Sequence, residues 1–106
     1  MATDWAADIK KYAPNADDAV VAKLLTTYRL VMSNRDSAYV AASDAAEVAT
    51  VRERFLKGKL GLDKDDATLN AAIMDVATLM KDDRTKSRAT VYYLLAEKFG
   101  KLDVFK

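Results

Sequence analysis

The sequence predicts an all-α fold, a compact bundle of about five short helices in one domain over residues 1–106. Three observations carry this. Apolar residues recur every three to four positions in five separate segments, the spacing that gathers them on one helical face at about 100° per residue. Backbone breakers are scarce, three Gly and one Pro, while residues that favour helices abound. Hydrophobic residues make up 51% of the chain and charged residues 31%, enough apolar mass for one core in a length too short for two.

The first segment, near Thr3 to Ala13, gathers Trp5, Ile9, Tyr12 and Ala13 on one side and leaves Asp8, Lys10 and Lys11 outside. Pro14 ends it, because proline disfavours helical geometry in the residue before it. Asn15 or Asp17 caps the second helix, whose face holds Val20, Val21, Leu24, Leu25, Tyr28, Val31 and Met32. From Ser33 to Ser43 periodicity lapses into turn formers, which reads as a connection anchored by Tyr39 and Val40. Asp44, with Glu47 three residues on, fits a capping box that opens a third helix with Val48, Val51, Phe55 and Leu56 inward. Gly58 or Gly61 ends it, with Leu60 and Leu62 folded back over the end.

Asp65 or Asp66 starts the fourth helix, which aligns Leu69, Ala72, Ile73, Val76, Leu79 and Met80 and ends near Asp82. The fifth, roughly Thr85 to Phe99, buries Tyr92, Leu95, Ala96 and Phe99 and stops at Gly100, and a tail with Leu102, Val104 and Phe105 packs back. No segment sustains the three or four apolar heptads that a coiled coil needs.

Composition narrows the chemistry. Without cysteine there is no disulfide, thiolate nucleophile or zinc thiolate, and a reducing compartment fits best. Without histidine the commonest neutral-pH base and transition-metal ligand are missing too. No catalytic residue, metal site or cofactor is expected. The start, Met1-Ala2-Thr3-Asp4-Trp5, lacks the pattern of a signal peptide, and no apolar run approaches the roughly 18 residues of a membrane span. The expectation is a cytoplasmic protein with no membrane association. A net charge of +1 gives the whole molecule no strong pull toward nucleic acid. Residues 1–53 carry 6 basic and 8 acidic side chains and residues 54–106 carry 11 and 8, too slight an asymmetry to choose a partner.

Two arginines stand out. Arg52 falls between Val48 and Phe55 on the apolar face of the third helix, and Arg88 falls beside Tyr92 and Leu95 on that of the fifth. A charge on a core face must reach water, find acceptors or meet another chain, since an unpaired buried charge is costly. Both guanidinium groups are therefore expected to have a named acceptor or reach solvent. Lys81, Arg84, Lys86 and Arg88 form a basic stretch before Tyr92-Tyr93, a candidate contact for an anion or a partner. Asp82 and Asp83 cut its local charge, and a solvated helix junction is the plainer account. Arg54, Lys57 and Lys59 suit the C-terminal end of a helix, with Glu53 and Lys57 a favourable pair.

Asp63-Lys64-Asp65-Asp66 has the opening of a calcium loop, but Ala67, Thr68 and Met74 stand where a ligand, the glycine and the closing glutamate belong, so capping explains it better. Adjacent carboxylates such as Asp17 and Asp18 diverge on a helix and read as a charged first turn. Leu30 and Met74 fall outside their helices' apolar faces and mark a candidate contact surface.

Val40-Ala41-Ala42-Ser43-Asp44, then Phe55-Leu56-Lys57 with Lys59-Leu60-Gly61-Leu62, and finally Arg88-Ala89, Tyr92-Tyr93-Leu94-Leu95-Ala96 and Phe99-Gly100-Lys101 form a pattern. In it the chain resembles a bacterial family called domain of unknown function 2853, most strongly from Val40 onward, with Asn34 to Tyr39 departing from it. The resemblance implies a small, mostly helical bacterial protein with no assigned activity, cofactor or catalytic residue. The leading expectation is a non-enzymatic protein-interaction or structural module that contacts a protein partner or a second copy of itself. The alternative is weak nucleic-acid binding through the basic junction from Lys81 to Arg88.

Overall fold

The structure is a computed structural model and describes residues 4–106. Thr3, where the sequence reading begins the first helix, lies outside the described residues. Asp4 caps helix α1 (Trp5–Tyr12) by accepting from the Ala7 N–H at 2.9 Å, and the helix has ended before Pro14. Asp17, one of the two caps read from the sequence, opens α2 (Asp18–Thr27) by accepting from Ala19 N–H. The sequence reads one helix through to Met32, but the chain breaks at Tyr28 and resumes as α3 (Arg29–Ser33). The Thr27 hydroxyl donates back to the Lys23 carbonyl at 2.8 Å, the kind of back-bond that bends helices. Tyr28, at φ −107° and ψ 22°, then turns its ring onto Phe55, Tyr92 and Phe105.

The connection from Ser33 to Ser43 is not wholly irregular. Tyr39–Val40 forms a two-residue strand, β1, paired antiparallel with β2 (Lys86–Ser87), Tyr39 opposite Ser87 and Val40 opposite Lys86. The expected anchors hold: Val40 is buried and Tyr39 meets Trp5 edge-on, ring centroids 5.7 Å apart. Asp44 caps α4 (Ala45–Thr50), which runs straight into a nine-residue π-helical segment, Val51–Lys59. That wider winding still buries Val51, Phe55 and Leu56, and it closes with the Leu60 N–H donating to the Phe55 carbonyl five residues back at 2.9 Å. Gly61, at φ +66°, then makes the left-handed turn that the sequence left between it and Gly58.

Asp65 accepts from the Thr68 N–H at 3.0 Å and opens α5 (Asp66–Leu79). Met80 is wholly buried, whereas Leu79, read as part of the core face, is 57% exposed. At 100° per residue Leu79 falls on the order of 80° from the centre of the arc made by the other five, so it ends up at the rim. The last helix, α6, spans Arg88–Lys98; Lys86 and Ser87, expected inside it, belong to β2 instead. Every residue of α6 from Arg88 to Ala96 is buried, as expected of a helix surrounded by others. α1, α2, α5 and the π segment pack around it. A 3-10 turn, Leu102–Phe105, folds the tail back and buries Phe105.

The fold is all-α, with the short β1–β2 pair its sole sheet among the described residues. No helix among them is long and apolar enough to cross a membrane.

Candidate functional site

The four basic residues singled out in the sequence divide into two groups. Arg88, the first residue of α6, points inward and is 7% exposed. Its position at a helix N-terminus opposes a cation, so its stability must come from acceptors. Four are in place. Nε donates to the Ser37 carbonyl at 2.6 Å, Nη1 to the Tyr92 hydroxyl at 3.1 Å, and Nη2 to the Tyr39 carbonyl and the Glu47 carboxylate. Burial works against the charge, but the Tyr92 hydroxyl and Glu47 outweigh it and hold the guanidinium above the ordinary arginine range. The Arg88 N–H also donates to the Ala38 carbonyl at 2.7 Å, so this one residue ties the 37–39 segment and α4 to the central helix.

Arg88 therefore cannot share a surface patch with the other three, because a paired, buried guanidinium is out of reach of a docking partner. Glu47 also departs from its expected role. Asp44 caps α4 by accepting from Ala46 N–H, but its own N–H goes to the Ala41 carbonyl rather than to Glu47, whose carboxylate is turned to Arg88. Sequence reasoning flagged the arginine by its core-face position and missed its partner, which lies 41 residues away with no local signal.

Lys81, Arg84 and Lys86 come together. They line a shallow groove of about 720 Å³ whose remaining wall is Val40, Ala41, Ala42, Ser43, Met74, Ala77 and Thr78. Met74, marked in the sequence as an apolar residue off the core face, is 40% exposed on this groove, while Leu30, 79% exposed, is not among its lining. Lys86 is positioned by donating to the Asp83 carbonyl at 2.9 Å. The Asp83 carboxylate is committed elsewhere, accepting from the Tyr12 hydroxyl at 2.5 Å and from Lys11 at 2.9 Å. The Tyr12 hydroxyl, then Lys11, holds that carboxyl below its ordinary range. Asp83 thus spends its charge on α1, and neither Lys81 nor Arg84 is ion-paired among the described residues.

Arg52, the other arginine on a core face, has acceptors too. It donates to Glu53 at 2.8 Å and to the Asn70 amide oxygen at 3.0 Å, and Asp66 lies 3.6 Å away. Lys57 bridges Glu53 at 3.0 Å and Asp66 at 2.7 Å, which completes a partly exposed network between the π segment and α5. Asp65 and Asp66 are thereby a cap and an ion-pair partner, as the capping reading of that stretch expects. No group of three or more carboxylates among the described residues is placed to hold a metal ion.

The groove and the buried arginine sit on an all-α scaffold. The chain belongs to the family described as protein of unknown function (DUF2853), whose model matches residues 4–103. No curated protein matches it.

Proposed function

We propose that this chain is a non-enzymatic protein-interaction module of the bacterial cytoplasm, and that it binds an acidic, amphipathic segment of a partner protein in the groove between Val40–Ser43, α5 and the 81–86 junction. One observation carries the reading: Met74, Ala77, Ala41 and Ala42 supply an apolar floor directly beside Lys81, Arg84 and Lys86. Apolar contact area gives affinity, and a rim of one charge sign selects a partner of the other and speeds encounter. The absence of cysteine and histidine fits a reduced compartment and a role without thiolate or imidazole chemistry.

Titrating ¹⁵N-labelled protein with a peptide of alternating Glu and Leu, its Lys-for-Glu counterpart and a single-stranded DNA oligomer of matched charge tests the proposal. The acidic peptide alone should move the amide signals of Ala41, Ala42, Met74, Lys81, Arg84 and Lys86, and Lys81→Glu with Arg84→Glu should weaken binding at least about tenfold, the scale of two lost attractive charges. Equal response to DNA, with a steep salt dependence, would replace a protein partner by nucleic acid. Concentration-dependent sedimentation abolished by Met74→Asp would show that a second copy of this chain is the occupant instead.

A further inference from the structure

A second pocket, separate from the groove, has Arg88 in its wall. It is lined by Tyr28, Val31, Ser37, Thr50, Arg54, Phe55, Arg88 and Tyr92 and has a volume of about 370 Å³. That is within the roughly 300–1,000 Å³ typical of ligand pockets. Taking ~30 Å³ as one water's share of liquid volume, it holds on the order of a dozen heavy atoms.

Its aromatic wall is preorganised. Phe55 stacks on Tyr92 with ring centroids 3.8 Å apart and planes 6° from parallel. Tyr28 stands edge-on to Tyr92 at 5.0 Å and to Phe55 at 6.3 Å. Two backbone irregularities build this wall: the break at Tyr28 and the π segment that carries Arg54 and Phe55. π-helical turns are uncommon and recur at functional sites.

Of the polar side chains lining this space, Tyr28, Tyr92, Arg54 and Arg88 have protons to offer, whereas the Ser37 and Thr50 hydroxyls donate theirs to the Val31 and Ala46 carbonyls. The Tyr28 hydroxyl makes no hydrogen bond among the described residues, yet no side-chain polar atom there is both buried and unpartnered, so this hydroxyl is accessible on a residue that lines the pocket. The Tyr92 hydroxyl accepts from Arg88 and so keeps its own proton to donate, and Arg88 Nη1 has a second N–H beyond the one given to Tyr92. Arg54 is exposed at the mouth and is ion-paired with no described residue. Glu47 offsets Arg88, no carboxylate lines the pocket, and Arg54 is left as surplus positive charge.

We infer that this pocket binds a small aromatic carboxylate, its ring against Val31 and the Tyr28 ring and its carboxylate toward Arg54 and the Tyr28 and Tyr92 hydroxyls. Donors converging on an apolar recess favour an anion over a neutral or cationic molecule of the same shape. The inference does not rest on the groove, which shares none of these residues.

The test is an NMR titration with benzoate, phenylacetate and indole-3-acetate, alongside benzyl alcohol and phenethylamine as neutral and cationic counterparts. At least one carboxylate should move the signals of Val31, Arg54, Phe55 and Tyr92 and bind about tenfold or more tightly than benzyl alcohol, with phenethylamine silent. Arg54→Gln, an exposed change that leaves the core intact, and Tyr28→Phe should each weaken that carboxylate several-fold while the circular dichroism melt confirms folding. Equal binding of the three charge types, no shift with any carboxylate at 10 mM probe (roughly the weakest useful ligand affinity), or affinity unchanged in both variants overturns it.

Discussion

Truncating Glu47 to alanine strands the Arg88 cation, and the structure sets the size of the loss. The two side chains are 9% and 23% exposed, so the pair is neither a surface bridge nor fully sealed from water. Removing one partner from a fully buried pair costs about 3–5 kcal/mol. Here Arg88 keeps the Ser37 and Tyr39 carbonyls and the Tyr92 hydroxyl, and water can enter where the carboxylate was. The expected loss is about 2 kcal/mol, the scale of one hydrogen bond to a charged group. For a domain this size that lowers Tm by about 8 °C. Glu47→Gln keeps an acceptor and should lose about half as much. Urea denaturation followed by circular dichroism measures both. A double-mutant cycle with Arg88→Met separates the pair from the favourable effect of any acid in the first turn of α4. A Glu47→Ala variant within ~0.5 kcal/mol of the parent, the range of ordinary surface changes, would refute the reasoning by showing Arg88 hydrated.

Further outcomes follow from the same packing. Met80→Ala should cost about 2–5 kcal/mol while Leu79→Asn stays within about 0.5 kcal/mol, since neighbours in sequence differ from wholly buried to 57% exposed; equal effects in urea melts would rephase α5. Gly61→Ala should lose about 1–2 kcal/mol although nothing lies within 4 Å of an added Cβ, because φ is +66°; a neutral result would place the turn elsewhere. The Asp83 carboxyl, held down first by the Tyr12 hydroxyl and then by Lys11, adds stability that is complete above its unfolded pKa near about 4 and is lost as pH falls through its lower folded value. Asp83→Asn should therefore destabilise at pH 7 and flatten the stability decline below about pH 4, read from urea melts at both ends.

Much of the scaffold was legible because local rules agreed with the global packing. The faces containing Leu24, Ile73 and Leu95 are buried as their spacing requires, and Asp17, Asp44 and Asp65 cap the helices they precede. What escaped the sequence depends on distant neighbours. β1 and β2 are two residues each, too short for any alternation to show, and their paired residues Val40 and Lys86 stand 46 positions apart in the sequence. The π winding of Val51–Lys59 leaves the same residues apolar, so a helical wheel does not separate it from an α-helix. Of the candidate site, the oddity of Arg88 and the exposure of Met74 were readable; that one is locked to Glu47 while the other joins Lys81, Arg84 and Lys86 was not.

The division of the basic residues into one internal tie and three surface cations is the claim on which the functional readings stand. Hydrogen exchange of the arginine Nε–H groups, followed by ¹⁵N NMR, tests it most directly. The Arg88 Nε–H, bonded to the Ser37 carbonyl at 2.6 Å, should exchange far more slowly than those of the exposed Arg54 and Arg84. Exchange at the same rate for all three would put Arg88 in water and contradict the account.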